Sequence, residues 1–224
     1  MKRFFIIGDS WAIGEFRYGN KTITAVPDTG IEHYLKALGH EVVSIAQAGA
    51  SNYAQLKLAH KHLTTDFDYI IWFQTETTRD IVDTHYPPID IFNFVQCMRY
   101  IKQQNYAMAQ ELYEEFKVPF IVVGCLSALD PSIDDYSFAK VKVTSWLDEL
   151  SGAKYELPEN MHQDIMYKVL EHYTVVNKAF MVEELDRMKF VEARLEVHHN
   201  FTDGVHPKRE CSEALANRLL SGLE

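Results

Sequence analysis

The sequence predicts an α/β protein built on a parallel sheet, and three observations carry that reading. Four short runs are dominated by apolar residues and bounded by glycine or polar positions: 4–7 (FFII), 41–46 (EVVSIA), 67–73 (FDYIIWF) and 119–124 (PFIVVG). Such runs read as strands, and strands covered on both faces belong to parallel sheets. Between them lie stretches of helical periodicity, and strands alternating with helices imply βαβ units joined by right-handed crossovers. The third observation is Gly8-Asp9-Ser10 directly after the first run. A small polar residue just past the carboxyl end of a parallel strand stands where open α/β sheets place their chemistry.

In chain order, the first strand ends at Gly8, and a polar connection follows over 16–27. Its Tyr18-Gly19-Asn20-Lys21 turn suits the tip of a small hairpin. Thr29-Gly30-Ile31-Glu32 has the pattern of a capping box, so a helix is expected there with Ile31, Tyr34, Leu35 and Leu38 on one face and Gly39 as its stop. The second strand leads to Gly49 and a helix over 52–63, with Asn52 at its cap. After the third strand, 74–80 is polar. A long amphipathic helix over 91–116 turns Phe94, Val95, Met98, Ile101, Met108, Leu112 and Phe116 inward. Beyond the fourth strand, 126–200 reads as mostly helical, beginning with Phe138, Val141, Val143, Trp146, Leu147 and Leu150. A fifth strand or a helix end falls in 190–197. A last helix over 207–220 packs Cys211, Leu215 and Leu219.

The 224 residues, 47% hydrophobic and 24% charged, fit a single domain (1–224) with 126–200 as a helical insertion that caps the active-site edge. A net charge of −10 argues against nucleic acid or an anionic membrane surface as partner. Cys97, Cys125 and Cys211 are odd in number and widely spaced, which points to reduced thiols. No stretch has the length of a membrane span, and the apolar run after Met1-Lys2-Arg3 is too short for a signal peptide. A cytoplasmic protein is expected.

The far end of the chain gives Ser10 its meaning. Asp203-Gly204-Val205-His206-Pro207 places an acid and an imidazole three residues apart, just before the last helix. A hydroxyl nucleophile needs a base to take its proton, and the base needs a group that fixes its tautomer. Ser10, His206 and Asp203 can fill those roles. Each also has a plainer reading: a turn serine, a residue before a helix-starting proline, and a carboxylate at a helix start.

Gly8-Asp9-Ser10, Gly49 within Gln47-Ala48-Gly49-Ala50-Ser51-Asn52, and Asp203-Gly204-Val205-His206 together resemble the SGNH (GDSL-type) hydrolases, over nearly the whole chain. The resemblance implies a three-layer α/β/α sandwich with a flavodoxin-like sheet of four to five strands. It also implies an esterase acting on small acyl, lipid or carbohydrate esters through Ser10, His206 and Asp203, without a cofactor. The oxyanion hole would come from the N–H groups of Ser10 and Gly49 and from an asparagine after the third strand.

That third block departs from the family. Here the strand is followed by Gln74-Thr75-Glu76-Thr77, with Glu76 in the asparagine's place. An ionised carboxylate offers acceptors and a like charge where an oxyanion wants donors, and losing one donor costs about a hundred- to a thousandfold in turnover. Three options stay open. Glu76 points away, pairing with Arg79, while Gln74 or Thr75 donates; Asn52 donates; or there is no third donor and the chain is a weakened hydrolase or a binding protein on the same fold.

Other constellations are less pointed. His198-His199 lacks a completing ligand set for a metal, and His60 and His62 lie two apart on a helix, on a solvated face. The acidic pairs 114–115, 134–135 and 183–184 suit exposed surface. The first turn lacks the glycine and lysine pattern of a phosphate loop, and Asp9 within it would repel phosphate.

Overall fold

Phe4, Phe5, Ile6 and Ile7 are apolar in succession because their strand is covered on both sides. The computed structural model describes residues 1–19, 22–75, 77–80, 94–125, 128–151 and 206–223. In chain order the elements are β1 (Arg3–Ile7), α1 (Ser10–Ile13), β2 (Phe16–Gly19), β3 (Thr22–Ala25), α2 (Ile31–Ala37), β4 (Glu41–Ser44), α3 (Asn52–His62) and β5 (Tyr69–Gln74). They continue with α4 (Phe94–Phe116), β6 (Phe120–Gly124), β7 (Ala139–Val143), α5 (Trp146–Ser151) and α6 (Arg209–Ser221). Short 3-10 turns occupy Thr77–Arg79 and Pro131–Asp135.

Five strands pair in the order β4-β1-β5-β6-β7, all parallel. Counting only the strands of this sheet, the order is 2-1-3-4-5, the flavodoxin-like arrangement, whose switch point lies between β1 and β5. β2 and β3 form the separate antiparallel hairpin expected from the turn at 18–21, pairing Phe16 with Ala25 and Gly19 with Thr22.

Alternation along each strand builds two cores. On one face, Phe4, Ile6, Ile71, Phe73, Ile121 and Val123 pack against Trp11, Leu35, Trp146, Leu215 and Leu219, and so against α1, α2, α5 and α6. On the other, Phe5, Ile7, Ile70, Trp72, Phe120 and Val122 pack against Leu56 of α3 and Tyr106, Ala109 and Leu112 of α4. Each such side chain, fully removed from water, contributes about 1.5–3 kcal/mol before chain entropy is counted. The result is the α/β/α sandwich that the sequence implied.

Three local expectations are corrected. The stretch after β6 is not helical throughout: Ala139–Val143 is the fifth strand, pairing with β6 through a register shift at Phe120/Ile121. Its Lys140 and Lys142 alternate with Ala139, Val141 and Val143, which is strand and not helix periodicity. The alternative fifth strand at 190–197 lies outside the described residues, as do residues 126–127 and 152–200 of the expected insertion. Thr29 does not cap α2, whose cap is Gly30 without a side-chain bond. Instead the Thr29 hydroxyl donates to the Val26 carbonyl at 2.8 Å and accepts from the Glu15 N–H at 2.9 Å, closing the base of the hairpin. Ser51, not Asn52, caps α3, its Oγ accepting from the Ala54 N–H at 3.1 Å.

Candidate functional site

The turn after β1 is tight. A Cβ on Gly8 would stand 2.8 Å from both Ala12 Cβ and Phe73 Cβ, so only glycine lets α1 come this close to the sheet. Asp9 caps α1, its Oδ1 accepting from the Trp11 N–H at 3.0 Å, and Ser10 opens the helix, largely buried. The Gly8 carbonyl accepts from the Gln47 N–H at 2.9 Å, which carries β4's pairing forward to the segment that leads into Gly49. Gly49 has φ +78°, in the left-handed region, at the end of a turn closed by the Ala50 N–H donating to the Gln47 carbonyl at 3.1 Å. The first two blocks read from the sequence thus lie side by side at the carboxyl edge of the sheet.

The segment after β5 is held down by two buried carboxylates. Asp9 Oδ2 accepts from Thr75 Oγ1 at 2.8 Å and Arg79 Nη1 at 3.3 Å. Asp80 Oδ1 accepts from the Tyr53 N–H at 2.7 Å, and its Oδ2 accepts from Asn52 Nδ2 and Asn105 Nδ2, each at 2.9 Å. Asn52 completes the mesh: its Nδ2 also donates to the Thr75 carbonyl at 3.1 Å, and its Oδ1 accepts from the Thr75 N–H at 2.9 Å. Both N–H bonds of Asn52 are therefore directed at Thr75 and Asp80, and the Thr75 hydroxyl at Asp9. Arg79 pairs with Asp9, while Glu76, its partner in one of the readings above, lies outside the described residues.

Gln74 ends β5 on the α3–α4 side of the sheet. Its Oε1 accepts from the Tyr106 hydroxyl at 3.3 Å, and among the described residues its buried Nε2 has no partner. Tyr106 in turn accepts from the Asp130 N–H at 3.0 Å, and burial pushes its hydroxyl pKa well above the ordinary value.

At the other end of the chain, His206 precedes α6 and its ring lies on Phe16, with centroids 4.2 Å apart at an interplanar angle of 30°. Three residues on, Arg209 meets Glu15. Glu15 Oε1 accepts from the Arg209 backbone N–H at 2.8 Å and from Nε at 3.3 Å, while Oε2 accepts from Nη2 at 3.1 Å. Burial alone would raise the Glu15 carboxyl, but the Arg209 bonds and charge, with Arg17 adding, hold it below the usual carboxylate range. Lys208, the cap residue of α6, makes no side-chain cap bond, so Glu15 answers the helix's first N–H from across the chain. Asp203 lies outside the described residues.

Ser10, Gly49, Asn52 and Gln74 were anticipated from the sequence as site residues. Thr75 was anticipated as an alternative donor and Arg79 as a partner for Glu76, but neither as a partner of Asp9; Asp9, Glu15, Phe16, Asp80, Arg209 and Asn105 were not anticipated as its framework, and of these only the Asp9 cap has a local signature. Among the described residues no group of three His, Cys, Asp or Glu side chains is placed to hold a metal, and no helix is long and apolar enough to cross a membrane. Cys125 and Cys211 are free and buried.

No protein-family model and no curated protein matches the chain. Solved structures similar to it include a lipase/acylhydrolase from Enterococcus faecalis, with 15% identity, TM-score 0.43, and coverage of 100% of this chain and 95% of that one. A catalytic mutant of the acetylxylan esterase Axe2 from Geobacillus stearothermophilus has 16% identity and TM-score 0.42, over 99% of this chain and 94% of that one. The psychrotrophic esterase EstA from Pseudoalteromonas sp. has 9% identity and TM-score 0.43, over 100% and 97%.

Proposed function

We propose that the chain is a serine esterase of the SGNH (GDSL) type. The observation that carries this reading is the docking of the start of α6 onto the segment just after Ser10. His206 rests on Phe16 and Arg209 on Glu15, six and five residues beyond the serine. In this reading Ser10 Oγ attacks an acyl carbonyl as His206 takes its proton, and Asp203 orients the imidazole. The N–H groups of Ser10 and Gly49 stabilise the oxyanion. His206 then protonates the departing alcohol. Water, deprotonated by His206, cleaves the acyl-enzyme, releasing the acid and restoring Ser10. By resemblance to that family, the substrate class is a short carboxylic ester, such as acetyl on a carbohydrate.

A second reading is favoured by one specific observation. Asn52 has both N–H bonds engaged, the Thr75 hydroxyl donates to Asp9, and Gln74 faces α4, so none of the three candidates for a third side-chain donor is directed at Ser10 through a contact described above. A protein that keeps the fold but hydrolyses poorly, and acts by binding, fits that arrangement. Fluorophosphonate labelling separates the readings. The esterase reading expects labelling of the wild type that disappears in Ser10→Ala and drops about ten-thousandfold or more in His206→Ala. Labelling that persists in Ser10→Ala removes Ser10 as nucleophile. A wild type that neither labels nor turns over p-nitrophenyl acetate supports the binding protein.

A further inference from the structure

The imidazole of His206 is held by residues from the opposite end of the sequence. Phe16 begins β2 and is buried, and its ring lies nearly parallel to that of His206, a contact that fixes the plane of the imidazole. Glu15, next to it, is fixed on its backbone from two sides: its N–H donates to Thr29 Oγ1 at 2.9 Å, and its carbonyl accepts from the Val26 N–H at 2.8 Å. Its carboxylate grips Arg209 through backbone and guanidinium together. One short stretch thus sets the height of α6 through Glu15 and the ring plane of His206 through Phe16. Ser10 lies on the same rigid connection, because Gly14 donates to the Ser10 carbonyl at 3.2 Å and packs against Thr29 and Gly30.

We infer that Glu15 and Phe16 are positioning residues that align His206 with Ser10, an inference that rests on the esterase reading above. The hairpin base is then part of the catalytic geometry and not a surface ornament. Displacing a reacting group by about 1 Å costs on the order of a hundredfold in rate.

The test uses the full chain carrying Phe16→Leu, which keeps apolar bulk but loses the ring, Phe16→Tyr, which keeps the ring, and Glu15→Gln, which keeps a hydrogen-bond acceptor but loses the charge. Circular dichroism and thermal melting establish that each variant is folded. NMR then follows the His206 ring protons, assigned by their absence in His206→Gln. Phe16→Leu is expected to move those resonances through loss of the ring current and to slow fluorophosphonate labelling of Ser10 about a hundredfold. With p-nitrophenyl acetate the loss is expected in kcat, with KM nearly unchanged. Phe16→Tyr is expected to restore both signals, and Glu15→Gln to fall between. Resonances that stay in place in folded Phe16→Leu, or labelling at the wild-type rate in both Phe16→Leu and Glu15→Gln, overturn the inference. If the wild type itself is not labelled, the esterase reading fails separately, and a shift of the His206 resonances in Glu15→Gln, which keeps the Phe16 ring, then decides whether the pair orients His206. Should Phe16→Leu fail to fold, Glu15→Gln carries the same comparison.

Discussion

At Gly8 and Gly49, two glycines answer to different constraints. At Gly8 the obstacle is space, because the two carbons a new methyl would meet are Cβ atoms fixed to their own backbones. Gly8→Ala is therefore expected to lower stability by about 1–3 kcal/mol in urea denaturation, as overpacking does. At Gly49 a Cβ would meet nothing within 4 Å, and the constraint is the backbone at φ +78°. Gly49→Ala should cost about 1–2 kcal/mol, the penalty for a side chain in the left-handed region. Asp80 is the more sensitive position. It is fully buried and accepts from Tyr53, Asn52 and Asn105. Asp80→Ala leaves those donors without it, and a loss of about 3 kcal/mol is expected in the same assay, with Asp80→Asn milder. Gly8 and Gly49 stood out in the sequence, but the contacts of Asp80 and Asp9 could not be read from it. Asp80 finds its partners 25 to 28 residues away, and Asp9 finds Thr75 and Arg79 66 and 70 residues away.

Helix α6 illustrates what an element's own residues do and do not specify. Of its buried face, Cys211, Leu215 and Leu219 follow from helical spacing and were legible in advance. Its N-terminus was not, because the group that answers its first N–H is Glu15, 194 residues away. That contact has a pH signature. The Glu15 carboxyl sits lower in the folded protein than in the unfolded chain, so the folded state favours the ionised form. Its contribution is therefore present above the ordinary glutamate value of about 4.3 and is lost as pH falls through the folded-state value. Thermal melting across pH should show Glu15→Gln less stable than wild type near neutrality, the gap closing in acid. A gap that stays constant across pH would mean that the charge of Glu15 contributes nothing. β7 carries the opposite lesson. Its two-residue alternation was present in the sequence, but Trp146, Leu147 and Leu150 beyond it have helical spacing. Reading the whole stretch in one period merged a strand with the start of α5.

Across the whole molecule, the three interior strands of the sheet were legible as apolar runs, and so was the edge strand β4, whereas the other edge strand, β7, was not. β1, β5 and β6 are interior to the sheet and nearly continuous in apolar residues, whereas β4 and β7 are its edges and mix exposed with buried positions. Hydrogen exchange followed by mass spectrometry should reflect that ranking, with the slowest amides in β1, β5 and β6 and faster exchange in β4 and β7. Equal protection across all five would contradict a sheet with this order. The position of β1 has a consequence for biosynthesis. Ribosomes deliver Phe4-Phe5-Ile6-Ile7 before either lateral neighbour exists, since β4 and β5 are translated later. The nascent polypeptide therefore carries a bare greasy ribbon with both hydrogen-bonding edges open until β4 has emerged at Ser44, and with one edge open until β5 is complete at Gln74.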